Sequence, residues 1–215
     1  MATLEIPREQ RFLVRNRSWS DYRAFAEALG EAHVRLTYDR GNLELMTLSL
    51  GQERWSGLLG RFVEVITEEL NLPCQSAGST TLNREDMERG LEADRSYYLE
   101  HEAAVRDKDE IDLTVDPPPD LALEIDVSRS SLSRMDIYAA LRVPEVWRFD
   151  GETLLVYRLD ENSQYAESTH SSHFPFLPLA EVQAFLLRRN SMDETSLIKA
   201  FRQWVRQVLA SRAPN

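Results

Sequence analysis

The amino-acid sequence predicts an α/β (α+β) domain with a central mixed β-sheet and a long helix packed on it. Three observations carry this expectation. Residues 52–70 place Trp55, Leu58, Leu59, Phe62, Ile66 and Leu70 at i, i+3, i+4, i+7, i+11 and i+15, the spacing of one helix face. Apolar and polar residues alternate on both sides of Asp39-Arg40-Gly41-Asn42, and again around Asp150-Gly151-Glu152, which describes two β-hairpins. Two further strand-like segments, 90–99 and 121–127, carry acids inside otherwise apolar runs.

In chain order, Ser18 caps a short helix whose Tyr22, Phe25, Ala26 and Leu29 share a face and which stops at Gly30. Val34, Leu36 and Tyr38 pair across the turn with Leu43 and Leu45 as the first hairpin. The long helix follows and Pro73 ends it. Residues 76–81 read as a short strand entering a turn over 84–90, followed by the strand at 90–99. A charged loop, 101–110, and the breaker Asp116-Pro117-Pro118-Pro119 precede the strand at 121–127. There Leu121, Leu123, Ile125 and Val127 take one face and Ala122, Glu124 and Asp126 the other. A short helix spans 132–141, Pro144 follows, and residues 145–149 and 153–159 form the second hairpin. The tail is helical: Val182, Phe185 and Leu186, then Leu197, Phe201, Trp204, Val205 and Val208, with 191–194 as a cap between the two runs.

Composition narrows the function. The chain has 215 residues, 42% of them hydrophobic and 28% charged, which is ordinary globular usage and excludes a disordered or collagen-like chain. No run approaches the roughly 20 apolar residues of a membrane span, and no apolar segment follows a basic start, so the expectation is a soluble, cytoplasmic protein. One cysteine, Cys74, excludes an intrachain disulfide and a cysteine-rich zinc site and suits a reducing compartment. The net charge of −11 opposes loose binding to nucleic acid, so any DNA contact must be local.

The histidines, His33, His101, His170 and His173, form no metal or nucleophile motif, and no phosphate loop is present. The arginines at 8, 11, 15 and 17 and at 188, 189, 202 and 206 are either phosphate clamps or solvated partners of nearby acids; the charge balance favours the second. Trp19, Trp55, Trp147 and Trp204 sit at apolar periodic positions and read as core or interface. Tyr97 and Tyr98 point opposite ways, so at most one faces a cleft with Asp94. The chemistry concentrates in Leu91-Glu92-Ala93-Asp94 and Leu123-Glu124-Ile125-Asp126. Burying a carboxylate costs several kcal/mol unless a cation or donors meet it. Spacing leaves two readings open: inner positions whose acids have such partners, or an edge strand whose acids face water.

Three motifs occur in order: Gly90-Leu91-Glu92-Ala93-Asp94, then Pro118-Pro119-Asp120-Leu121-Ala122-Leu123-Glu124-Ile125-Asp126, then Tyr138-Ala139-Ala140-Leu141-Arg142-Val143-Pro144-Glu145-Val146-Trp147. In these the chain resembles the Uma-two family of restriction-type endonucleases, within the PD-(D/E)XK nuclease superfamily, over nearly its whole length. The resemblance implies a restriction-endonuclease-like sheet, with an N-terminal arm and helix (1–30), a nuclease-like core (31–178) and a C-terminal helical extension (179–215). It implies metal-dependent hydrolysis of DNA phosphodiesters with Mg²⁺ or Mn²⁺, a hard cation that carboxylates hold and that acidifies a bound water. Asp94 matches the aspartate of the first motif, although Ala93 precedes it where the family has proline. Glu124 matches the acid of the second, and Asp126 stands where the lysine is expected. In this family the lysine has moved to the following helix, four residues before the tyrosine matched by Tyr138, and that position is Arg134. Arg134 keeps the charge but not the proton-transfer chemistry of a lysine. Glu53 matches a helical acid that joins the metal site. Superfamily members often act as homodimers, and the Trp204 helix has no obvious intrachain partner, so a homodimer is expected. The alternative is a nuclease-fold binding or assembly protein that is catalytically weak or inactive.

Overall fold

The computed structural model describes residues 10–30, 32–126 and 130–212. Arg8 and Val127, which entered the reading above, lie outside the described residues. The elements are β1 (Arg11–Arg15), α1 (Trp19–Leu29), β2 (Val34–Asp39), β3 (Asn42–Thr47), α2 (Leu50–Leu70), β4 (Gln75–Gly78), β5 (Thr81–Arg84), β6 (Arg89–Glu92), β7 (Arg95–Tyr98), α3 (Glu102–Val105), β8 (Leu121–Ile125), α4 (Arg134–Ala140), β9 (Glu145–Phe149), β10 (Leu154–Leu159), β11 (Tyr165–Ser168), α5 (Leu179–Leu187) and α6 (Glu194–Trp204).

Local chemistry sets many of the boundaries. Ser18 and Asp21 form a capping box at α1, and Ser49 and Gln52 form another that starts α2 two residues before the apolar periodicity does. Asn71, left-handed at φ 53°, closes α2 ahead of Pro73. The β2–β3 turn puts Arg40 at φ 44° and Gly41 at φ 88°, the positive pair that a two-residue hairpin needs. Strand β1, the helical turn α3 and strand β11 have no periodicity long enough to be read, and sequence analysis missed all three.

The fold is α+β with helices flanking the strands, as expected, and the strands are divided between two sheets. A five-stranded antiparallel sheet has the order β1-β3-β2-β6-β5, and a six-stranded mixed sheet the order β11-β10-β9-β8-β7-β4. The segment at 90–99, read as one strand, is β6 in the first sheet and β7 in the second, with Ala93 and Asp94 as the step between them. Likewise residues 76–81 do not form one strand, since β4 and β5 fall in different sheets. Strands β8 and β9 run parallel, and a parallel pair needs a crossover, which α4 supplies. Strand β8 has neighbours on both sides, so the edge-strand reading of Glu124 fails.

Alternation on β8 sorts two cores. Leu121, Leu123 and Ile125 join α2 (Leu58, Phe62, Ile66), while Ala122 joins Ile137 and Tyr138 of α4 and Leu141 at its C-cap. The α4 cluster also takes Leu82 and Leu91 from the five-stranded sheet, so this helix packs where the two sheets meet. A third cluster seats α1 on that sheet through Tyr22, Leu36, Tyr38 and Leu43. Helix α6 packs against α2: Phe201 stacks on Phe62 at 4.0 Å between ring centroids, and Trp204 lies 5.5 Å from Phe185. The Trp204 helix therefore has an intrachain partner, and its apolar face gives no reason to expect a dimer. No helix among the described residues is long and apolar enough to cross a membrane.

Candidate active site at the seam between the sheets

Asp94 sits on the step from β6 to β7, where the chain leaves one sheet for the other. The β7–β8 ladder begins at Arg95 opposite Leu123, which leaves the Ile125 N–H beyond its end. The Asp94 carboxylate takes the place of the missing strand, with Oδ2 accepting from Ile125 N at 2.5 Å. Its Oδ1 is ion-paired with Nη1 of Arg35 from β2. Ser56 of α2 donates to the Asp94 carbonyl at 3.4 Å, so the long helix also pins the step.

Glu124, one residue before Ile125, is 6% exposed. Arg134 grips it with Nε on Oε2 at 2.9 Å and Nη2 on Oε1 at 2.7 Å, and Tyr138 also donates to Oε1. Residues 134 and 138 are i and i+4 on α4, and Ser133 caps that helix, so both side chains fall on the strand beneath. Arg134 spans the seam: Nη1 donates to Thr37 Oγ1 at 2.7 Å and Nη2 to the Glu92 carbonyl at 2.6 Å. Burial pushes the Arg134 guanidinium down, but the Glu124 carboxylate outweighs it and holds the group well above its ordinary value. Burial raises the Tyr138 phenol, with the Glu124 charge adding to it, which keeps the proton that Tyr138 donates. Burial likewise pushes Glu92 up, against the pull of Arg35 and Arg134.

Beside Glu124 opens a cleft of about 310 Å³ lined by Asp126, Ser130, Ser133, Arg134 and Arg148 among others. Asp126 pairs with Arg148 and lies 3.9 Å from Nη2 of Arg11. Arg11 also reaches Glu44 at 3.0 Å, and Glu44 accepts from Ser130 Oγ at 2.7 Å and Ser131 N at 2.8 Å, which ties the cleft wall to β3.

The sequence-predicted residues are thus partly gathered. The Asp94 carboxylate binds the N–H of Ile125, the residue after Glu124, and Arg134 lies on Glu124 as the i, i+4 spacing implies. Glu53, on the first turn of α2 and about half exposed, reaches the site only through Arg35, at 3.5 Å. Among the described residues no three acids, histidines or cysteines are gathered closely enough to hold a metal ion. In donor chemistry the site still suits a hard cation, because two carboxylates, Asp94 and Glu53, converge on one positive group, the Arg35 guanidinium.

Sequence analysis missed Arg35 and Thr37. The available signal was their place between Val34, Leu36 and Tyr38, where polar side chains on a buried strand need partners as much as the acids of β8 do. Both turned out buried, Arg35 at 5% exposure and Thr37 at 2%. Tyr97 and Tyr98 are spent elsewhere, on Glu64 at 3.1 Å and the Pro117 carbonyl at 3.2 Å. Arg202 and Arg206 pair with Glu69, and His173 bonds Glu100 and the Asp120 carbonyl, so these groups belong to the scaffold.

A family model named Uma2 and described as "Putative restriction endonuclease" matches residues 19–189. No curated protein matches the chain.

Proposed function

The chain belongs to the Uma2 family of restriction-endonuclease-type proteins, and from that premise we propose that it hydrolyses DNA phosphodiester bonds at the seam between its two sheets. The observation that supports this reading best is that Asp94, from the step between the sheets, binds Ile125 N next to Glu124 on β8, beside a cleft with serine and arginine walls. Asp94, Glu124 and Glu53 are the groups that would hold Mg²⁺ or Mn²⁺, which when bound would polarise the phosphate and lower the pKa of an attacking water.

The chain's own residues have separable tasks. Arg134 orients Glu124 and places a fixed positive charge where the family lysine would stand, ready to stabilise charge that develops on phosphate oxygens. Its guanidinium does not exchange a proton near neutral pH, so it takes no part in proton transfer. Tyr138 holds the second lone pair of Glu124 Oε1 and keeps the carboxylate from rotating. Ser130, Ser133 and Arg148 are the cleft donors that would receive a neighbouring phosphate; with −11 overall, attraction to DNA is confined to such local groups. The proposal extends to a cytoplasmic location, which the single cysteine suits, and to a homodimer, a state common in the superfamily. Light scattering that gives a monomer refutes the latter.

One observation favours a second reading. Both site carboxylates are already neutralised by arginines, as in a protein that keeps the nuclease scaffold for binding or assembly without turnover. Cleavage of supercoiled and single-stranded DNA with Mg²⁺ or Mn²⁺ separates the two, with wild type run beside Glu124→Ala and Arg134→Lys. Hydrolysis predicts cutting that disappears in Glu124→Ala and accelerates in Arg134→Lys. If none of the three cuts, the second reading replaces the first.

A further inference from the structure

Two arginines guard the acids, and they are held in different ways. Arg134 has a bidentate grip on Glu124 plus two anchors outside the acid pair, Thr37 and the Glu92 carbonyl. Arg35 has only carboxylates as partners: Asp94 at close range, and Glu53 at 3.5 Å. Its Nη1 is buried against Asp94 Oδ1. The two ends of the contact differ as well. Asp94 is enclosed, with its side chain 5% exposed, while the Glu53 side chain is 48% exposed. The guanidinium therefore bridges an enclosed carboxylate and one at the surface of the first turn of α2.

We propose that Arg35 is the resident counter-ion of the acid site, occupying the place between Asp94 and Glu53 that a divalent cation would take, so that metal enters only by exchange with this side chain. The inference rests on the metal-dependent reading above. A purely structural arginine would be anchored as Arg134 is, by groups that stay in place when the acids change partner. Arg35 has no such anchor among the described residues, and everything that holds it is a group a hard cation would also claim. The exchange balances in charge: one positive charge leaves a pair of carboxylates and two arrive, and the displaced guanidinium is rehydrated along the Glu53 side. As a positioning residue, Arg35 also keeps Asp94 turned toward Ile125 N until exchange occurs.

The test is Mn²⁺ binding to the full chain, followed by the electron paramagnetic resonance signal of free Mn²⁺ and by calorimetry, with no DNA present. Arg35→Gln should bind Mn²⁺ about 10- to 100-fold more tightly than wild type, the worth of a hydrogen-bonded charge contact that metal no longer has to break. Adding Asp94→Asn to Arg35→Gln should abolish the gain. The melting temperature of Arg35→Gln should rise with Mn²⁺ by more than that of wild type, because the metal then neutralises an otherwise uncompensated buried acid. Equal Mn²⁺ affinity in wild type and Arg35→Gln, lost on Asp94→Asn, overturns the role of Arg35 and leaves the metal site standing. No binding in any variant overturns both. If Arg35→Gln does not fold by circular dichroism, Arg35→Lys carries the test. A single-pronged ammonium on a shorter stem should compete less well and raise affinity severalfold, and an unchanged affinity would overturn the proposal.

Discussion

Removing the Arg134 side chain should cost more stability than almost any other single truncation at the seam. In Arg134→Met, Glu124 loses both bonds of its bidentate pair and keeps only the Tyr138 hydroxyl, and the Thr37 hydroxyl and Glu92 carbonyl lose their shared partner. Breaking one side of a buried ion pair typically costs about 3–5 kcal/mol, because the remaining charge has been taken out of water with nothing to meet it. That is a large part of the roughly 5–15 kcal/mol that holds a domain of this kind together. Glu124→Gln leaves the opposite orphan, but a milder one, since Arg134 keeps three of its four acceptors, the amide oxygen among them. The double variant removes both charges at once, so its loss should fall short of the sum of the single losses by about 2–3 kcal/mol. Urea denaturation of the four proteins, followed by far-ultraviolet circular dichroism at one pH and salt concentration, measures the cycle. A loss below about 1 kcal/mol in Arg134→Met, or additivity within about 0.5 kcal/mol, would refute the reasoning, because the pair would then not be a desolvated one.

Three further outcomes follow from other parts of the fold. Gly60 lies on α2 where an added methyl would meet the Arg95 side chain and the Tyr97 hydroxyl oxygen, the latter at 2.7 Å, so Gly60→Ala should destabilise by about 1–2 kcal/mol. Overpacking of roughly 1–3 kcal/mol there exceeds the roughly 1 kcal/mol that alanine gains in a helix, and a stabilised variant in thermal melts would show the contact to be soft. Glu145 is fully buried and accepts from Trp147 Nε1, Ser171 Oγ and Ser172 N, each at 2.6 Å, and from Ser172 Oγ. In Glu145→Gln one carboxylate oxygen becomes a donor facing donors, and chemical denaturation should record a loss of about 1–3 kcal/mol. Hydrogen bonds from Arg206 and Arg202 hold the Glu69 carboxyl below its ordinary value, so its contribution is present above the usual carboxylate range and is lost as pH falls through the lowered one. Glu69→Gln should accordingly melt below wild type at pH 7 and converge with it in acid, and a gap that persists at low pH would contradict the assignment.

Much of the architecture could be read from the sequence because it is locally encoded. The α2 face, the Asp39-Arg40-Gly41-Asn42 turn and the cap at Ser18 each depend on residues a few positions apart, and the structure has them where periodicity puts them. The division into two sheets was not readable, because nothing in the run from Gly90 to Leu99 marks the change of partner strand; alternation continues across Ala93 while the hydrogen bonds move from β2 and β5 to β8 and β4. At the site, the acids announced themselves as charges in apolar strands, and the spacing of Arg134 and Tyr138 pointed both at Glu124. Arg35 did not, since its partner Asp94 is distant in sequence and a single arginine in a hairpin strand is an ordinary surface residue until the second sheet covers it.

The step at Ala93 and Asp94 also divides the site along the chain. Arg35, Glu53 and Asp94 all precede β8, so a polypeptide made as far as β7 already contains the first acid and the arginine that pairs with it. Glu124 follows, and Arg134 comes ten residues after it. The complete pair exists only once both sheets have closed on the seam.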